Sequence, residues 1–160
     1  MTRDQIIRTL RRADEVARRA MAMGRHPFGA VLIAPDDETV LAEQGNIDTV
    51  QHAEATLARH AWLNYPGAYL RQCTLVTTFE PCAMCAGTVY WADIGRVVYG
   101  AGEDALLALT GDHPENPTLA LPCREVFARG QKSIEVTGPV PEVADEMVET
   151  HRGFWAARGS

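Results

Sequence analysis

The chain has 160 residues, 46% of them hydrophobic and 22% charged, a composition that suits one globular core and excludes the disordered and fibrous classes. With 15 Lys and Arg against 21 Asp and Glu the formal charge is −6, so the whole-chain balance recruits neither nucleic acid nor anionic membrane. Apolar stretches such as 28–35 fall far short of a membrane span, and no apolar block follows the Arg-rich start, so a cytoplasmic protein with no membrane partner is expected.

Ile6, Ile7, Leu10, Ala13, Val16, Ala17 and Ala20 recur at helical spacing and predict an amphipathic helix over 3–23, ended by Gly24 with Pro27 shortly after. The unbroken apolar run from Phe28 to Ala34 predicts a strand buried on both faces. Asp36-Asp37-Glu38 is a turn, and Thr39 to Gln44 completes a hairpin that Gly45-Asn46 breaks. Further along, the pattern predicts a helix over 52–64, a strand over 73–78, a helix over 82–92 and a strand over 96–99. A short helix over 103–109, a polar loop over 111–122, a short helix over 123–129, a strand over 133–137 and a closing helix from 141 to about 155 complete the chain. This alternation predicts crossover units and a largely parallel sheet, and without a repeat or linker the chain reads as one three-layer α/β/α domain over 1–160. Seven of the 14 arginines lie between Arg3 and Arg25, but Asp4, Asp14 and Glu15 interleave with them, so a solvated helix face is expected rather than an RNA-binding arm.

Four cysteines are too few for a disulfide scaffold at this length. Cys82 and Cys85 form a C-x-x-C pair behind Pro81, whose fixed φ suits the first turn of a helix. At i and i+3 the two sulfurs share a helical face beside the positive end of the helix dipole, which favours thiolate. His52 opens the preceding predicted helix, so two helix N-termini would bring one imidazole and two thiolates to a single Zn²⁺. Three protein ligands leave one tetrahedral position for water, the mark of a catalytic site. Two thiolates neutralise the zinc formally and weaken it as an acid, so ionising its water needs a base. Glu54, two residues after His52, is the candidate proton shuttle. Cys73 and Cys123 are expected to pack in the core, and His26, His60 and His113 receive no role.

His52-Ala-Glu54 followed by Pro81-Cys82-Ala-Met-Cys85 resembles the H-x-E…P-C-x-x-C signature of the zinc-dependent cytidine/deoxycytidylate deaminase superfamily. The likeness extends to Pro27-Phe28-Gly29-Ala30-Val31 and to Gly95-Arg-Val-Val-Tyr-Gly, over most of residues 1–110. It implies a hydrolytic deaminase that replaces an exocyclic amine on a heteroaromatic ring by oxygen and releases ammonia. It further implies a five-stranded mixed sheet with the last strands parallel, zinc on His52, Cys82 and Cys85, Glu54 as shuttle, and a homodimer formed through helices near the site.

Two branches of the family share features with this chain. Cys85-Ala-Gly and Ile94-Gly95-Arg96-Val97-Val98 are similar to the tRNA wobble-adenosine deaminases, whereas Phe28 after Pro27 and Tyr90-Trp91-Ala92 are similar to guanine deaminases. Five carboxylates and no Lys or Arg between Glu135 and Glu149 would repel a polyanion, which favours a free nucleobase or related heterocycle, such as a guanine-like purine or a triazine, over tRNA; a nucleoside or cytosine remains open. The resemblance suggests substrate contacts from Asn46, the backbone N–H of Ala53, and Asp112 or Glu115. Phe28 and Trp91 are candidate stacking rings, although core packing would equally account for aromatics there. His151, Phe154 and Trp155 form an aromatic cluster that could close over the pocket as a lid or simply dock the last helix.

Overall fold

The computed structural model describes residues 1–158. Twelve elements alternate along the chain: α1 (Arg3–Ala22), β1 (Gly29–Ile33), β2 (Val40–Gly45), α2 (Ala53–Asn64), α3 (Gly67–Leu70), β3 (Thr74–Phe79), α4 (Ala83–Trp91), β4 (Arg96–Ala101), α5 (Glu103–Thr110), α6 (Cys123–Ala128), β5 (Glu135–Thr137) and α7 (Pro141–Arg158). Eleven of these correspond to predicted elements, with ends moved by a few residues; the single-turn α3 was not anticipated.

The strands form one sheet in the order β2-β1-β3-β4-β5. β1 pairs antiparallel with both β2 and β3, while β3–β4 and β4–β5 are parallel, so the sheet is mixed with its last strands parallel. The expectation of a largely parallel sheet is therefore corrected to two parallel pairings beside two antiparallel ones, because the first hairpin inserts β1 between β2 and β3.

Strand alternation sorts the core into two layers. Val31, Ile33, Val76 and Val98 face Ile6, Leu10, Ala13 and Val16 of α1 and Val143 and Met147 of α7. Ala30, Leu32, Leu75 and Val97 face Leu57 and Ala58 of α2, Val89 of α4 and Phe127 of α6. β1 and β3 are buried along their whole length, as strands covered on both faces must be. α1 starts with a capping box in which Thr2 accepts from the Gln5 backbone while the Gln5 side chain accepts from the Thr2 N–H. Among the described residues no helix is long and apolar enough to cross a membrane.

Parallel β3 and β4 end at the same edge of the sheet, so the segments leaving them converge there: Glu80 to Cys85 after β3 and Glu103 after β4. The N-terminus of α2 meets α4 at this edge, which places the candidate site.

Candidate active site

His52 and Cys82 are the N-cap residues of α2 and α4, both in extended conformation, and Cys85 lies in the first turn of α4. Pro81 stands one residue before the N-cap rather than within the first turn, where it keeps the chain extended on entry. Neither N-cap side chain makes a capping bond to its helix, and the two face each other. His52 Nδ1 is 3.6 Å from Cys82 Sγ and 3.5 Å from Cys85 Sγ, and the three donor atoms lie within 4.8 Å of one another. Zn–N and Zn–S bonds at tetrahedral angles put nitrogen and sulfur about 3.6 Å apart, so the observed nitrogen–sulfur spacing fits zinc. The protonation pattern agrees. The hydrogen bond from Cys85, with that from His52, pulls the Cys82 thiol down to about 4, while donation to Cys82 and burial hold Cys85 up. Hydrogen bonding to Cys82 raises the His52 pKa.

Glu54 is buried in the first turn of α2 with its two oxygens in different surroundings. Thr77 Oγ1 donates to Oε1 at 2.8 Å, and Cys85 Sγ lies 3.6 Å from Oε2. One oxygen is thus fixed by the sheet and the other faces the cysteine pair. Burial raises the Glu54 pKa above the ordinary carboxylate range, against the opposing charge of His52.

A cavity of about 270 Å³ opens over this cluster. Phe28, His52, Glu54, Phe79, Cys82 and Met84 line its inner part, and Glu80, Glu103 and Leu106 continue it. His26, Thr49, Glu115 and residues 116–119 of the loop before α6 complete the wall. Burial first, and then the charges of Cys82, Glu54 and Glu80, push Glu103 up to about 7.

Of the residues expected at the substrate, Phe28 and Glu115 line this cavity. Asn46 is buried outside the lining, its Nδ2 donating to the Asp48 carbonyl at 3.2 Å and its Oδ1 without a partner among the described residues. Ala53 is fully buried at the start of α2, and Asp112 is exposed in the loop after α5. Phe154 does not reach the cavity but packs edge-on against His26, which does, at 5.6 Å. Trp91 is placed elsewhere: it is 74% exposed on the outer side of α4, with the Lys132 ammonium 5.3 Å from its ring centre. The reason is helical phase, since α4 buries Val89 and two residues further turn the chain by about 200°. Sequence reasoning did not single out Glu80, Glu103 and His26, which the structure places in the cavity lining. The first two come just after the carboxyl ends of parallel strands, a position that signals function once the sheet order is known; for His26 the sequence carries no such signal.

A histidine and two cysteines at metal spacing, beside a buried carboxylate and under a small cavity, define a zinc-dependent hydrolase. Residues 3–101 match the family described as the cytidine and deoxycytidylate deaminase zinc-binding region. The chain is 34% identical over 149 residues to a probable cytosine deaminase of Schizosaccharomyces pombe, covering 91% of this chain and 90% of that protein. It is 38% identical over 99 residues to a tRNA-specific adenosine deaminase of Haemophilus influenzae, covering 59% of this chain and 57% of that one. A solved structure of a guanine deaminase from Nitrosomonas europaea superposes with a TM-score of 0.67 at 26% identity, covering 92% of this chain and 83% of that one. The chain thus belongs to the cytidine and deoxycytidylate deaminase family, whose members are hydrolases acting on C–N bonds.

Proposed function

We propose that this enzyme deaminates a free nucleobase or a related heterocycle, with a guanine-like purine or an amino-triazine favoured, and releases ammonia. The observation that carries the reading is the cavity itself. At about 270 Å³ it is at the small end for ligand sites. Its lining includes Glu54, Glu80, Glu103 and Glu115 and no Lys or Arg, which suits a neutral ring rich in N–H donors and opposes a phosphate.

His52, Cys82 and Cys85 would hold the zinc, which supplies Lewis-acid activation of a water molecule. Glu54 Oε2 would move the protons, one from the attacking water to a ring nitrogen and the second from it to the departing amine, so that ring C–NH₂ and water become ring C=O and ammonia. Thr77 keeps Oε1 occupied, so the proton moves on one oxygen. Burial, by raising the proton affinity of Glu54, brings it nearer to that of the groups it serves. Phe28 offers a ring face to the bound heterocycle, and Ala53 offers a backbone N–H to its oxygen. Asn46, whose Oδ1 has no partner among the described residues, is assigned to the ring edge.

The whole chain would act as one domain, with α7 closing the side of the site formed by His26 and Phe28. We place the enzyme in the cytoplasm, where reducing conditions preserve the thiols, and expect a homodimer. The exposed Trp62 of α2 and Trp91 of α4 stand on the two helices that carry the site and are candidates for its interface. Sedimentation of the zinc-loaded protein tests this, a monomer at micromolar concentration arguing against it.

The deciding experiment is an ammonia-release screen of the zinc-loaded protein over guanine, adenine, cytosine, melamine, their nucleosides where these exist, and a tRNA anticodon stem-loop. Turnover confined to free bases supports the reading. Turnover of the stem-loop alone would replace it with the tRNA alternative.

A further inference from the structure

His26 lies between α1 and β1, lines the cavity, and is held in place by residues from the far end of the chain. Its Nε2 is 3.5 Å from Glu115 Oε2. Arg158 donates to the same Glu115 oxygen at 2.8 Å and to the Gly24 carbonyl at 3.1 Å. Phe154 and Trp155 stand edge-on to the imidazole with ring centres 5.6 and 5.0 Å away. The Glu115 carboxylate, expected at the sequence level to meet substrate directly, is therefore engaged by two side chains of its own protein.

This arrangement fixes the hydrogen-bonding character of the imidazole. A carboxylate only accepts, so Nε2 must carry the proton that faces Glu115. Burial lowers the His26 pKa, outweighing Glu115, which favours the neutral ring over the imidazolium. No hydrogen bond from the described residues satisfies Nδ1. The result is an acceptor nitrogen on a residue that lines a small cavity.

We propose that His26 is a specificity-determining residue of this deaminase, its Nδ1 accepting a hydrogen bond from a ring or exocyclic N–H of the bound heterocycle while Glu115 and Arg158 position the imidazole. The proposal rests on the free-base reading above. It explains why the C-terminal helix reaches back to the entrance of the site: α7 supplies Phe154, Trp155 and Arg158, all of which act on His26 or its partner.

The test uses the full-length zinc-loaded protein with guanine, adenine, cytosine and melamine as probes. His26→Phe retains a ring between Phe154 and Trp155 but removes both nitrogens; His26→Gln restores a side-chain acceptor beside a donor for Glu115. On the base that the wild type turns over, His26→Phe is expected to raise KM about tenfold or more with kcat within about threefold, and His26→Gln to recover most of the loss. Nitrogen-15 NMR of the imidazole in the free protein is expected to show the Nε2–H tautomer, with the Nδ1 resonance moving when the base is added to Glu54→Ala protein. A parental KM in His26→Phe, or a protonated Nδ1 in the free wild type, overturns the proposal and leaves the free-base reading standing. A wild type inert toward all four bases overturns both.

Discussion

The two oxygens of Glu54 lie in different environments, one held by Thr77 and one facing the cysteine pair, which suits the proposed proton shuttle. Glu54→Gln retains the shape of the side chain and the three zinc ligands while removing the ability to take up a proton. The expected outcome is a fall in kcat of about 10²–10⁴-fold with zinc content and thermal unfolding close to the parent. Ammonia release and metal analysis on one preparation check it, and parental activity would displace Glu54 from the mechanism. Thr77→Val is expected to do less, since it frees Oε1 without deleting the carboxylate. Its effect should fall on kcat rather than on KM. At this scale the candidate metal cluster and its neighbouring carboxylate were legible because their signals are local: His52 and Glu54 share one helix start, and Cys82 and Cys85 share another. His26 was not legible because its partner Glu115 is 89 residues away in a loop without periodicity, so only the folded chain shows the pair.

At the scale of elements, α1 docks by two different means. Its apolar face meets β1 so closely that Gly29 admits no side chain: an added Cβ would lie 2.3 Å from the Ala13 carbonyl oxygen and 2.5 Å from the Ala17 nitrogen. Both are backbone atoms that no rotamer change can move. Gly29→Ala is expected to destabilise the fold by about 1–3 kcal/mol or more, measured by urea unfolding, because α1 must lift from the sheet. The polar face of α1 is tied by ion pairs, Arg3 to Glu142 and Arg11 to Glu146 of α7, with Arg12 and Arg19 to Glu43 of β2. Hydrogen bonds from Arg3 and Arg11 lower the Glu142 and Glu146 pKa values below the ordinary carboxylate value of 4.5. Carboxylates with lowered folded-state values stabilise the protein above the unfolded value and lose that contribution as pH falls through the folded one. The double variant Glu142→Gln, Glu146→Gln should therefore melt slightly lower than the parent at neutral pH. The difference should shrink in high salt and vanish once acid has protonated both groups, as thermal scans across pH would show. Most elements were legible from periodicity, including α1, whose apolar positions are the buried ones. α3 was not, because a four-residue turn after Pro66 is too short to show a period and is set by its capping bonds and by burial of Leu70.

At the scale of the whole molecule, the question of a nucleic-acid partner turns on how the charges are arranged rather than on their sum. The sequence offers two opposing signs, seven arginines between Arg3 and Arg25 and five carboxylates between Glu135 and Glu149. Folding sets part of one against the other. Arg3, Arg11, Arg12, Arg18 and Arg19 all form ion pairs, and Glu142 and Glu146 are among their partners. The acidic stretch is thus no free anionic field, and the arginine face is no free phosphate-binding stripe. On the proposed reading, opposition to a polyanion has to come from the cavity lining, which among the described residues holds four glutamates, one of them paired with Arg158, and neither Lys nor Arg. A tRNA substrate would have to bring phosphates to this opening, and a protein that neutralises several of them shows affinity falling steeply with salt. The expected result is no saturable binding of an anticodon stem-loop at micromolar protein even in low salt, measured by fluorescence anisotropy, with turnover of a free base nearly indifferent to the same change of salt. Tight binding with a steep salt slope would show that the paired arginines exchange their carboxylates for phosphates, and would move the enzyme to the tRNA branch of its family.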